Sequence, residues 1–130
     1  MKKTKLIDSL RKNIIKPTQC HLWKKDVLET SDLNICNFEL VHTFSEDSHF
    51  SRRLIMCKDC KQFYLKEFYE EIDWVDGEDP QYTTYIPVRD KKEAEIINGS
   101  NVFEIQLFSP RINLDWPKGK DMTVKWIGRK

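Results

Sequence analysis

Two alternating stretches separated by five polar residues constrain this chain more than any other feature. In CNFELVHTF, residues 36–44, Phe38, Leu40, His42 and Phe44 fall on one side, with Asn37, Glu39, Val41 and Thr43 on the other. After the polar SEDSH, the stretch FSRRLIMC (50–57) alternates back, with Phe50, Leu54 and Met56 on one face. Period-two patterning on both sides of a short polar turn predicts an antiparallel hairpin. Setting Phe44 against Phe50 also sets Leu40 against Leu54 and Phe38 against Met56, so one register aligns three apolar pairs.

That register gathers cysteines, of which the chain has four. Cys57 and Cys60 form a Cys-x-x-Cys knuckle at the end of the second strand, and Cys36 opens the first. Cys36 and Cys57 are then expected within one rung, roughly 5 Å apart, with Cys60 brought back by the turn. Three converging thiols invite a tetrahedral Zn²⁺ ion, whose fourth ligand would be Cys20, the one remaining cysteine, or its neighbour His21. The expectation is a zinc-ribbon-like site of Cys20, Cys36, Cys57 and Cys60. A closed shell of four thiolates leaves no position for water, so such an ion supports folding and not chemistry. Lys61 occupies the place where a glycine is common after a zinc knuckle. The competing readings are unliganded thiols, a disulfide and thiol–disulfide exchange. The last fits poorly with Lys58 and Asp59 between the cysteines, although a helix after Cys60 would keep it open.

The rest of the chain predicts an α+β domain over residues 1–130. Apolar residues at 6, 7, 10, 14 and 15 give an N-terminal amphipathic helix over 1–16, followed by hairpins over 20–88. Residues 62–74 would also fit a helix. Their aromatic content, the Asp76-Gly77 turn signal and the β-rich YTTYIPV that follows favour a second hairpin. Residues 89–130 are expected to supply a short helix, with Asp90 as N-cap, Glu93 at capping-box spacing and Gly99 at its end, and then closing strands that include MTVKWIG. NVFEIQLF (101–108) reads equally as a helix capped by Asn101 and Glu104 or as a strand.

Charge separates the candidate functions. Net charge is +1, yet residues 1–25 carry eight Lys/Arg against Asp8 alone, while residues 67–79 carry seven acids and no base. No long apolar run or signal-peptide pattern is present, which points to a cytoplasmic protein without a membrane span. Walker, dinucleotide, nucleophile-elbow and HExxH motifs are absent. His42 and His49, with Glu46, Arg52 and Arg53, would be the centre of a small RNase or other hydrolase; a polar turn accounts for the same residues. Basic ends with Trp23, Trp116 and Trp126 would suit a nucleic-acid-binding zinc ribbon. The acidic segment suits a basic protein partner better. There Glu67, Glu70, Glu71, Asp73, Asp76, Glu78 and Asp79 surround Trp74 and Tyr82, carboxylates that would repel phosphates and steer a cationic surface onto aromatic anchors.

CKDC followed by FYEEIDWVDGEDPQYTTYIPV resembles a set of small bacterial proteins in which such a knuckle precedes EFYEEIDW, a glycine turn and PQY…IPV. The likeness covers about residues 36–88 and brings no activity with it. The small size and the lysine-, isoleucine- and asparagine-rich composition are also similar to bacterial immunity proteins. That similarity implies a non-enzymatic antidote whose partner is a secreted toxin, for instance a nuclease, with the acidic aromatic surface as the contact.

Overall fold

The strands of the computed structural model follow one another in a single sheet, each antiparallel to the last. It describes residues 14–129, so the helix expected over 1–16 lies, except for its end, outside the described residues. The order is helix α1 (His21–Lys24), two 3-10 turns (Thr30–Leu33 and Ile35–Asn37), β1 (Phe38–Glu46), β2 (Phe50–Cys57), β3 (Phe63–Glu70), β4 (Gln81–Val88), helix α2 (Lys91–Ile97), helix α3 (Val102–Ile105), β5 (Arg111–Trp116) and β6 (Thr123–Ile127). The six strands lie side by side in chain order. An antiparallel sheet with a few short helices is the α+β class expected, and residues 63–70 form the first strand of a second hairpin, not a helix.

Both faces of this sheet are buried. Leu54, Leu65, Ile86 and Val88 pack on one face against Ala94, Ile97, Ile105 and Phe108 from the segment that carries α2 and α3. Ile55, Tyr64, Tyr85 and Ile112 pack on the other against Cys20, Leu22, Leu28 and Leu33 from the N-terminal segment. Burying one such aliphatic side chain stabilises the fold by about 1.5–3 kcal/mol, so neither covering segment is dispensable. Two-sided burial is also why β4 reads as a nearly continuous run, with Thr83 through Val88 all buried.

The register of the first hairpin differs from the expectation. Phe38 faces Cys57, Leu40 faces Ile55 and His42 faces Leu54, with irregularities between Leu40 and His42 and between Thr43 and Ser45. Each irregularity slips an extra residue into β1, the sheet's edge strand, where bulges discourage pairing with other chains. Alternation could not fix the pairing here, because β2 buries residues toward both faces.

A buried ion pair joins the helical layer to the sheet. Arg52 and Glu67 are cross-strand neighbours. Arg52 Nε donates to Glu67 Oε2 at 2.9 Å, and Arg52 Nη1 donates at 2.8 Å to the carbonyl of Asn98, the residue that ends α2. Burial pushes the Glu67 carboxyl up while Arg52 pulls it down. Asp90 caps α2 by accepting the Glu93 N–H at 2.9 Å, and the helix closes at Asn98 just before Gly99. At α3 the helical option prevails because Asn101 and Glu104 form a complete capping box. The closing strand returns to the start of the chain: Trp126 Nε1 donates to the Leu22 carbonyl at 2.8 Å, and Arg129 donates to the carbonyls of Trp23 and Lys25.

Candidate metal centre and partner surface

β2 delivers Cys57 to the end of the sheet, where the chain turns sharply. Lys61 N donates to the Cys57 carbonyl at 2.9 Å and Cys57 N to the Gln62 carbonyl at 2.8 Å, which closes the turn around Lys58–Cys60. Lys61 sits at φ +66°, a left-handed conformation that a Cβ makes unfavourable. The backbone therefore adopts the glycine-type turn without the glycine. Buried Gln62 fastens the far side, donating to the carbonyls of Phe63 and Val88 at 2.9 and 3.0 Å.

Opposite this turn lie Cys20, which is fully buried, and His21, the first residue of α1. Cys20 N donates to the Pro17 carbonyl at 2.9 Å, and Gln19 Nε2 donates to the Cys60 carbonyl at 3.3 Å, tying the two segments together. Donor atoms of Cys20, His21 and Cys57 all lie within 4.8 Å of one another, close enough to hold a metal ion. Cys57 Sγ is 4.0 Å from His21 Nδ1, and the Asp59 carboxylate stands 3.8 Å from the same nitrogen. Cys60, half-buried, is not among the residues of that 4.8 Å group, although its thiol interacts with those of both Cys20 and Cys57.

Burial pushes the Cys20 thiol up to about 12 and raises that of Cys60 in the same way. Nucleophilic cysteines need the opposite shift, and a cation among these thiols would favour their ionised form. The Tyr64 hydroxyl, driven upward mainly by burial and next by the neighbouring Cys20, interacts with that thiol but makes no well-formed hydrogen bond.

Cys36 does not join this group. It is exposed in the 3-10 turn before β1, where its N–H is accepted by Asn34 Oδ1 at 2.9 Å. Phe38, and not Cys36, is the neighbour of Cys57 across the hairpin, and that change of register separates Cys36 from the other cysteines. His21, the alternative ligand in the sequence reading, is present in the cluster.

The acidic segment divides. Glu67 is buried against Arg52 and so is no part of an accessible surface. Glu70 is committed inward, accepting from Gln81 Nε2 at 2.9 Å and lying 2.9 Å from His49 Nδ1. Asp73 organises the turn that follows: its Oδ1 accepts the N–H groups of Val75 and Asp76, and its carbonyl accepts that of Gly77 at 3.0 Å. Asp79 Oδ1 accepts the Asp73 N–H at 2.7 Å, while Lys118 from the β5–β6 turn reaches Asp73 and Asp76 at 2.8 and 2.7 Å. The Lys118 ammonium, helped by those N–H donors, holds the Asp73 carboxyl down to about 2. On this braced turn Trp74 is 86% exposed and Val75 87% exposed, with Glu71, Asp76 and Glu78 also exposed around them. Tyr82 lies lower on β4, stacked on Tyr69 at 6.4 Å. Val75 was missed in the sequence because a single valine between Trp74 and Asp76 carries no pattern.

The histidines reside apart from one another in their contacts. His42 lies in β1 against the Phe44 ring, at 4.7 Å, and His49 pairs with Glu70. Glu46 pairs with Arg53, and Arg52 with Glu67. No helix among the described residues is long and apolar enough to cross a membrane. No family model, curated protein or solved structure matches this chain.

Proposed function

We propose that this chain is a non-enzymatic protein-binding domain, with a structural zinc ion at the knuckle end of its sheet and a contact surface at the acidic turn 71–80. The observation that carries the reading is the display of Trp74 and Val75, nearly fully exposed, on a turn already ordered by Asp73, Asp79 and Lys118. An aromatic anchor held in place in advance loses little conformational freedom on binding. The exposed carboxylates of Glu71, Asp76 and Glu78 favour a basic partner and speed its approach. A toxin domain neutralised by an immunity protein is a partner of that kind, and carboxylates standing in for phosphates would suit a nuclease. Phosphate-bearing ligands would meet repulsion at the same turn. Zinc is the metal that a thiol-rich set with one imidazole suits best, since softer donors disfavour magnesium and calcium.

The test is co-expression with the product of the adjacent gene, followed by purification in parallel with Trp74→Ala and with Asp76→Lys/Glu78→Lys. The expected result is a basic protein that co-purifies with the wild type, is lost with Trp74→Ala and is weakened by the charge reversal. Equal co-purification by all three proteins would defeat the contact surface. Retention on heparin that falls steeply with salt would favour nucleic acid instead.

A further inference from the structure

We infer that the metal is held by four side chains, Cys20, His21, Cys57 and Cys60, with Cys36 outside the site and the Tyr64 hydroxyl donating to the Cys20 thiolate. This deepens the zinc reading above and rests on it.

Three observations converge. In a tetrahedral zinc site, bonds of roughly 2.0–2.3 Å place neighbouring ligand atoms about 3.3–3.8 Å apart. Cys57 Sγ and His21 Nδ1 already stand 4.0 Å apart, and Cys20 shares their 4.8 Å neighbourhood. Cys60 is not among the residues whose donor atoms share that neighbourhood; it is the remaining cysteine of the Cys57–Gln62 turn, and closing on the ion would bring its thiol in as the fourth corner.

The second observation is the backbone at Lys61. A lysine persists in the left-handed region only where its surroundings over-determine it. Two bonds from Cys57 and Cys60 to one ion would impose that tight turn directly. Third, the Tyr64 hydroxyl is buried and interacts with the Cys20 thiol without forming a full hydrogen bond to it or to any other group. A neutral thiol is a weak acceptor, whereas a metal-bound thiolate is a strong one, so the contact between this hydroxyl and Cys20 would become a full hydrogen bond when the ion is present. Such a contact is the outer-shell support that metal ligands ordinarily have. Three thiolates and one imidazole close the shell, which makes the ion structural.

Zinc content, measured after purification under reducing conditions, is expected to be one equivalent for the wild type and for Cys36→Ser. His21→Ala and Cys60→Ser are each expected to lose tight binding in competition with a chromophoric chelator. Tyr64→Phe should keep the equivalent but bind zinc about 10–100-fold more weakly. Should a ligand variant fail to fold, the cobalt-substituted wild type still decides, since its absorption spectrum distinguishes three thiolates and a nitrogen from four thiolates. A four-thiolate spectrum, or loss of zinc in Cys36→Ser with retention in His21→Ala, overturns this ligand set and leaves the zinc reading standing. A folded, reduced wild type that binds no zinc overturns both. Unchanged zinc affinity in Tyr64→Phe removes the role given to the hydroxyl.

Discussion

The two ends of β3 are ordered in opposite ways. At the Cys57–Gln62 end, thiols and an imidazole turn inward and the backbone is held in a conformation that lysine does not favour. At the Glu71–Pro80 end, a set of short polar contacts made at the surface holds the turn while an indole and a valine face outward. If a metal is held there the first arrangement is cooperative, since Cys20 and Cys57 are buried and each ligand would depend on the others. The second is graded, because each contact is partly exposed, individually weak and screened by salt.

Chelation should separate the two most sharply. In structural zinc sites the metal's apparent binding free energy, on the order of 10 kcal/mol, is folding free energy. Stripping zinc with a strong chelator is therefore expected to abolish amide protection around Cys57 and Tyr64. The turn at 71–80 should lose protection later in the same exchange series, and simultaneous loss would show that the ends are not independent.

Midway between them, Glu67→Ala leaves Arg52 buried without its partner. The expected cost is about 3–5 kcal/mol, read as a lowered urea midpoint with both ends affected alike. A change confined to one end would contradict the placement of this pair as the tie between sheet and helices.

At the knuckle, Lys61→Gly relieves the left-handed residue. After the greater flexibility of glycine in the unfolded chain is discounted, a gain of about 0.5–1 kcal/mol is expected in thermal or urea unfolding. A loss would mean that the lysine side chain does something its backbone does not disclose.

The gentlest perturbations concern the turn. Lys118→Ala should leave the urea midpoint near that of the wild type while hydrogen exchange quickens at Val75 and Asp76. Acid should act similarly. The Asp73 carboxyl is lowered from 3.8 to about 2 in the folded protein, so its contribution is complete above the unfolded value and fades as pH falls toward about 2. Glu70, lowered chiefly by its hydrogen bond to His49, changes with the same sign. Protection of the Val75 amide that is unchanged between pH 5 and pH 2 would refute the role given to Asp73.

Much of this was legible from residues alone, and the exceptions share a cause. Period-two patterning reveals the first hairpin; aromatic content, the β-rich YTTYIPV and the Asp76-Gly77 signal, whose glycine adopts φ +69°, locate the second against a competing helical period. Spacing and elimination single out Cys20 and Cys57, whose donor atoms the fold brings within 4.8 Å of each other and of His21. What patterning could not reveal was register, because a sheet covered on both faces offers apolar residues in either direction. Cys36 and Glu67 both failed on that point. One was placed a rung too close to Cys57, and the other was taken for a surface acid because its cross-strand partner Arg52 is visible only once the strands are aligned. His21 carried no signal beyond its adjacency to Cys20.

The hydrogen bond from Trp126 to Leu22 spans 104 positions of chain. During synthesis, every proposed ligand leaves the ribosome well before the indole that latches α1 in place. Closing so long a loop carries an entropic cost and slows the formation of such contacts. A nascent chain would therefore present its thiols unlatched for a time, open to oxidation or to a competing metal. Early capture of zinc would protect them before the last strand arrives.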